Sequence, residues 1–274
     1  MLFFSKMQAT GNDFIIVDAI ENEFRYDINI ISKYMCDRHI GIGADGVIFL
    51  YRSEISDFKM RIINQDGTEA EMCGNGIRCL AKYIYQKYLN KNKKNMTIET
   101  LAGIKEIEIL EAGKIKVNMG EPIFCYKKIP VFYENNRSIN IKIDSEIYEL
   151  FPISMGNPHA VCFKNDIENI DLEKIGKILE GYKYFPSKTN VEFVQIIDNE
   201  NIRVRVWERG VGETLSCGTG ASAAGVISNL KKSTNNELKV ELLGGNLEII
   251  FNKNVFLIGD AKKVFEGKIE FEEI

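Results

Sequence analysis

The sequence predicts an α+β protein built of two similar domains, and three observations carry that reading. The 274 residues suit two units of about 100–150 residues each. Strand-like segments outnumber helix-like ones and do not alternate with them, which disfavours a doubly wound sheet. The chain also matches itself at a nearly constant offset. Cys217 lies 144 positions after Cys73, and the same shift sets Arg205 on Arg61, Glu213 on Glu69, Gly218 on Gly74 and Gly220 on Gly76. Upstream, Asp171 falls on Asp27 and Asn190 on Gly46; Gly156-Asn157 matches Gly11-Asn12 at 145, and Gly245 matches Gly103 at 142. Short loop deletions would leave this drift, and a period of domain size means a duplicated domain rather than a solenoid.

The elements follow from local pattern. Strands are expected at 2–7, 14–18, 47–51 and 58–63. Asp27 is a natural N-cap for a helix over 28–36. A longer helix is expected over 75–89, with Ile77, Leu80, Ala81, Ile84, Tyr85 and Tyr88 near helical spacing. Alternating segments follow at 96–101, 104–110 and 115–119. The second half repeats the order: a helix at 172–179 behind Asp171, strands at 191–197 and 202–207, a helix at 219–230, then strands to 258. Gly120-Glu121-Pro122 marks the join. The expected domains are 1–118 and 119–260, with the tail 261–274 packing on the first.

Composition narrows the function. Apolar residues make up 45% and charged residues 27%, an ordinary globular balance. A net charge of −4 disfavours a general nucleic-acid binder. No apolar run approaches the roughly 18–20 residues that cross a bilayer, and the first residues do not read as a signal peptide. The expectation is a cytoplasmic protein with no membrane or nucleic-acid partner. Gly41-Ile42-Gly43-Ala44-Asp45-Gly46 fits G-x-G-x-x-G, but a helical pattern precedes it and a strand-like run follows. That is the wrong context for a dinucleotide site.

None of the six cysteines forms a C-x-x-C pair, and only two histidines are present, so a structural zinc site is not expected. Cys36, Cys125 and Cys162 read as small buried hydrophobes. Cys73 and Cys217 differ, because each repeat runs strand, turn, Cys-Gly-x-Gly, helix. Each sulfur is thereby set at a helix N-terminus, where N–H groups and the helix dipole stabilise an anion. A thiol of ordinary pKa about 8.5 can fall there to roughly 3.5–7.5, as a base, nucleophile or redox centre. A nucleophile normally needs one cysteine and a partner base. A pseudo-two-fold pair suits a reaction that treats both faces of one atom alike, such as inversion of a carbon stereocentre. One thiolate then removes a proton and one thiol returns one from the opposite face, so the two titrate as a coupled pair. Acid–base catalysis supplies about 10²–10⁴-fold. The amides of Gly74, Asn75, Gly218 and Thr219 are placed to add electrostatic stabilisation.

At these residues the chain resembles a known family. Glu71-Met72-Cys73-Gly74-Asn75-Gly76-Ile77-Arg78-Cys79 and the segment from Glu208 to Gly220 (ERGVGETLSCGTG) are similar to the two active-site signatures of the diaminopimelate epimerases. Lys6-Met7 with Gly11-Asn12-Asp13-Phe14, Gly156-Asn157-Pro158-His159-Ala160, and Asn190 with Glu192-Phe193 resemble further blocks in the same order, so the likeness covers essentially the whole chain. The resemblance implies two pseudo-symmetric domains, each a curved, mostly antiparallel sheet around a central helix, with the active site in the cleft between them. It implies an epimerase without cofactor or metal that interconverts LL- and meso-diaminopimelate for lysine and peptidoglycan synthesis, commonly as a homodimer.

By the same resemblance, Cys73 and Cys217 are the acid/base pair. Gly74, Asn75, Gly218 and Thr219 hold the reacting-end carboxylate. Glu208 binds the reacting-end ammonium and, with His159, tunes the thiols. Asn12, Asn64, Asn157, Asn190 and Arg209 hold the distal amino-acid end, Arg209 offering a planar fork to a carboxylate. Some relatives carry Gln where this chain has Gly46, so any side-chain contact there is lost. The competing readings are a two-cysteine proline or hydroxyproline racemase and, from another class, a thiol redox protein with a Cys73–Cys217 disulfide.

Overall fold

The computed structural model describes residues 1–21, 26–89, 93–133 and 138–271. In chain order the first part holds β1 (Leu2–Ala9), β2 (Asn12–Asp18), α1 (Ile28–Cys36), β3 (Gly46–Tyr51), β4 (Phe58–Asn64), β5 (Glu69–Ala70), α2 (Gly74–Lys87), β6 (Asn95–Thr100), β7 (Gly103–Ile109) and β8 (Ile115–Gly120). The second holds β9 (Ile139–Ile143), β10 (Glu146–Ser154), β11 (Pro158–Phe163), α3 (Leu172–Glu180), β12 (Asn190–Ile196), β13 (Asn201–Glu208), β14 (Gly212–Thr214), α4 (Gly218–Leu230), β15 (Glu237–Leu242), β16 (Gly245–Phe251) and β17 (Val255–Gly259), and β18 (Lys262–Ile269) follows. Two compact units result, Met1–Val117 with Gly259–Ile274, and Asn118–Ile258.

In the first unit the sheet runs β18-β1-β2-β3-β4-β6-β7-β8, with β5 beside β4. Only β2–β3 and β4–β6 are parallel pairs. In the second it runs β9-β10-β11-β12-β13-β15-β16-β17, with β14 beside β13, and only β11–β12 and β13–β15 are parallel. The two sequences of parallel and antiparallel pairings are the same.

Register repeats as well. Phe14 pairs with Gly46 in the first parallel pair and His159 with Asn190 in the second. Phe49 faces Arg61, and Phe193 faces Arg205. The same ion pair forms twice on the same hairpin, Arg61–Glu69 and Arg205–Glu213, each at 2.7 Å.

Strands β2, β3 and β12 each contain five consecutive buried residues, because both faces of the sheet are covered. On one face of the first unit Ile15, Val47, Phe49 and Ile63 pack with Ile31, Met35 and Cys36 of α1. On the other lies α2, whose Gly76 sits against Ile48 and Ile62. Helices α1 and α3 start where the sequence placed them. The Asp27 carboxylate accepts the N–H groups of Asn29 and Ile30, and the Asp171 carboxylate accepts that of Lys174.

The structure departs from the sequence reading at three places. Strands β9, β10 and β11 were not expected as a set, and β18 was read only as a tail; it is a full strand along β1. Residues 272–274 of that tail lie outside the described residues. Cys125, expected to be buried, is exposed. Its carbonyl accepts hydrogen bonds from Lys128 and Ile129, so the chain turns there, and Tyr126, Ile129 and Val131 fill the core instead. The glycine-rich segment 41–46 runs directly into β3 with α1 before it, the reverse of a dinucleotide turn. Among the described residues no helix is long and apolar enough to cross a membrane.

Candidate active site

Each unit carries one cysteine as the N-cap of its long helix. Cys73 caps α2 with φ −136° and ψ 121°, and Cys217 caps α4 with φ −122° and ψ 116°. Each sulfur accepts the N–H of the third residue on, Gly76 or Gly220, at 3.4 Å. The first intrahelical bonds begin at Ile77 and Ala221, which donate to the carbonyls of Cys73 and Cys217. The amides of Gly74, Asn75, Gly218 and Thr219 thus lie in the first turn beside the sulfurs, where a helix stabilises negative charge.

In the first unit the Cys73 thiol points to Oδ1 of Asn12 at 3.8 Å, and the Asn75 amide donates to the same oxygen at 3.4 Å. The Asn12 amide donates to the Asp45 carboxylate, which Arg38 holds at 2.8 Å. Arg38 and Lys6 also grip Asp13, at 2.8 and 2.7 Å. Burial alone would raise the Asp13 pKa, but hydrogen bonds from Arg38 and Lys6 outweigh it and hold it at about 2. Arg78 is fully buried one turn into α2, bonded to Gly74 O at 2.9 Å, Asn75 Oδ1 at 3.0 Å and Thr10 Oγ1 at 3.1 Å. Burial lowers its pKa to about 10, so it remains a cation at neutral pH. Asn64 ends β4, where its amide donates to Thr68 Oγ1 at 3.0 Å in a turn. A Cβ at Gly46 would sit 3.0 Å from the Ile63 carbonyl, so a side chain at this position requires the strand to give.

In the second unit Cys217 is buried, with Thr219 Oγ1 3.3 Å from its sulfur. Glu208 ends β13 and accepts a 2.6 Å hydrogen bond from Thr214. Burial raises the Glu208 pKa, against hydrogen bonds from Thr214 and Cys217 and the attraction of His159. Burial also pushes the Cys217 thiol well up, and the carboxylates of Glu208 and Glu192 add to that.

His159 is wholly buried on β11, with Nδ1 2.6 Å from Glu192 Oε1 and Nε2 2.9 Å from Asn157 Oδ1. Asn190 is a strut: its amide donates to Pro158 O at 2.8 Å and its Oδ1 accepts the Arg209 N–H at 2.9 Å. The Arg209 side chain is exposed, with one contact to Ser187 O at 3.2 Å.

The fold therefore gathers Asn12, Cys73, Gly74 and Asn75 at the head of α2. It gathers Glu208, Cys217, Gly218 and Thr219 at the head of α4, with His159 and Asn190 on neighbouring strands and Asn157 in the bend just before β11. Sequence reasoning missed Asp45, Arg78 and Glu192. The signal for Glu192 was a charged residue inside the apolar run from Val191 to Val194. For Arg78 it was a cation between Ile77 and Cys79 on a buried helix face. No group of three His, Cys, Asp or Glu residues among the described residues is placed to hold a metal ion.

Comparison with known proteins identifies the family of the chain. The profile of the family described as diaminopimelate epimerase matches residues 4–125 and 151–264. A diaminopimelate epimerase of Methanococcus maripaludis is 48% identical over 276 residues, covering 97% of this chain and 99% of that one. One from Carboxydothermus hydrogenoformans is 47% identical over 270 residues, covering 97% and 98%. Among solved structures, a hydroxyproline epimerase from Agrobacterium vitis superposes with a TM-score of 0.70 at 11% identity, covering 97% of this chain and 91% of that one. A phenazine biosynthesis protein from Bacillus anthracis reaches 0.69 at 19%, covering 98% and 99%. At such identities the structural neighbours speak for the shared two-domain fold. The two cysteine-capped helices and a match along nearly the whole chain lead to one assignment: this chain belongs to the diaminopimelate epimerase family.

Proposed function

We propose that the protein interconverts LL- and meso-diaminopimelate by two-base chemistry without a cofactor. The observation that carries this is the cysteine N-cap present twice, in the same register, within a chain of the diaminopimelate epimerase family. One sulfur, as thiolate, takes the α-hydrogen as a proton and leaves the electron pair on carbon. The other, as thiol, donates a proton to the opposite face, and its own electron pair becomes the new thiolate. No net oxidation occurs, and the roles reverse for the opposite direction. Gly74, Asn75, Gly218 and Thr219 present N–H groups to the reacting-end carboxylate, which spreads the carbanion charge. Glu208 holds the reacting-end ammonium. Asn12, Asn64, Asn157, Asn190 and Arg209 hold the distal end. The protein acts as a homodimer in the cytoplasm, a setting that suits a reaction needing reduced thiols.

The test is proton NMR of LL-diaminopimelate with the reduced protein in D2O and no added cofactor. The expected result is loss of an α-proton signal together with growth of the meso isomer. Exchange with proline or hydroxyproline instead would move the assignment to those racemases. Absence of exchange on every substrate, with the thiols confirmed reduced, would end the epimerase reading. Sedimentation velocity tests the dimer.

A further inference from the structure

The two cysteine-capped helices rest on chemically different floors. In the first unit the residue under the third position of the helix is Ile48: a Cβ at Gly76 would lie 2.9 Å from its Cδ1. The repeat sets Glu192 on Ile48, and a Cβ at Gly220 would lie 2.8 Å from Glu192 Oε1 and 3.4 Å from Cys217 Sγ. The neighbouring strand differs in step. Phe14 and His159 occupy matching places in the two parallel pairs, opposite Gly46 and Asn190. A Phe–Ile pair in one unit is a His–Glu pair in the other. Both members of the polar pair are wholly buried, 2.6 Å apart, and Glu192 Oε2 has no hydrogen-bond partner among the described residues. A buried carboxylate with one bare oxygen is expensive and destabilises the floor unless its other oxygen receives a strong hydrogen bond. Among the described residues, the Nδ1–H of His159 is the one placed to supply it.

We propose that Glu192 is a positioning residue for the second half of the active site. By holding the Nδ1 proton of His159 it fixes the ring in one orientation, with Nε2 turned toward the Asn157 amide. Carboxylate oxygens only accept, so the Glu192 contact requires the proton on Nδ1, whereas the Asn157 amide can turn either its oxygen or its NH2 group toward Nε2. The titratable groups that face the pair are Glu208 from β13 and Cys217 at the head of α4. The pair thereby keeps one hydrogen-bonded arrangement beside Glu208 and the head of α4.

The inference rests on the epimerase reading only for its activity arm. With two histidines in the chain, nitrogen-detected NMR of the substrate-free protein resolves them, and His39→Asn removes the exposed one. Wild-type His159 should carry a proton on Nδ1, the nitrogen that faces Glu192. Glu192→Leu should pass the proton to Nε2, and Glu192→Gln, whose amide donates as well as accepts, should give a mixture. In turnover both variants should lower kcat about 10–100-fold, the usual effect of losing an orienting partner, with KM moved less and the pH profile of kcat/KM altered. A bare Nδ1 in the wild-type protein would overturn the proposal even if neither variant folds. So would a folded Glu192→Leu with the wild-type nitrogen pattern. Failure to epimerise diaminopimelate leaves the NMR arm untouched.

Discussion

The two helix-capping cysteines, Cys73 and Cys217, share a backbone position but not an environment. Cys217 is buried beside Glu208, and burial with two carboxylates raises its pKa well above that of an ordinary thiol. Cys73 is half-buried, with the Arg78 guanidinium one turn below it. A raised pKa keeps a thiol protonated and slow to alkylate until the pH climbs toward it. At pH 8 iodoacetamide should therefore modify Cys73 before Cys217, as read by peptide mass spectrometry. Glu208→Gln should speed labelling of Cys217. Cys36, Cys79 and Cys162, which burial pushes to about 12, should stay silent, and exposed Cys125 serves as the positive control. Equal rates at Cys73 and Cys217 would contradict the asymmetry.

Asp13 gives a second test at this scale. Its folded pKa is depressed from 3.8 to about 2, so its contribution is full above the unfolded value and is lost as pH falls toward 2. That contribution is at most roughly 2 kcal/mol, since Arg38 is half exposed. Asp13→Asn should lower the melting temperature at pH 7 and lose that effect near pH 2. The paired cysteines were legible in the sequence because the motif repeats. Glu192 was not, because its repeat mate is Ile48 and matching rewards sameness. Asn64 shows the converse: its residue type fits a binding role, while its hydrogen bonds here serve a turn.

Helices and inner strands were the most legible elements, since their apolar spacing and Asp caps are local. Helix α1 has the expected span, and α2 begins at Gly74, one residue before its expected start. Strand β10 carries Pro152, which argues against a strand in isolation but sits opposite Ala160 in a regular ladder. Strand β18 has almost no buried residue, so only its partner β1 defines it. The glycines at the third residue of each of the two long helices, Gly76 and Gly220, allow a direct comparison. Gly76→Ala meets the flexible tip of Ile48, and Gly220→Ala meets a carboxylate oxygen already bound to His159. The first should cost little. The second should cost about 1–3 kcal/mol by overpacking and reduce turnover more than tenfold. Thermal melts and steady-state rates of the two variants check this, and equal penalties would count against the polar floor.

At the scale of the molecule, the second unit finds all its strands within one stretch of chain, whereas the first borrows one. β18 occupies beside β1 the place that β9 occupies beside β10. A chain ending at Asp260 should therefore leave β1 as a bare edge with Leu2 and Phe4 uncovered. Lower expression as folded protein, a reduced melting temperature and aggregation on size exclusion are expected. A truncated chain that melts like the full one would refute this. The sequence reading sets this tail on the first domain, but nothing in residues 262–269 names β1 as its strand partner.

The contrast between Phe14–Ile48 and His159–Glu192 also constrains how two copies of one ancestral domain could have drifted apart. A glutamate arriving against a phenylalanine would bury a charge with no proton donor, and such a chain would scarcely fold. A histidine arriving against an isoleucine stays neutral and merely packs less well. In either direction of descent the passable intermediate is histidine with an aliphatic neighbour, so histidine comes first if the pair was gained and leaves last if it was lost.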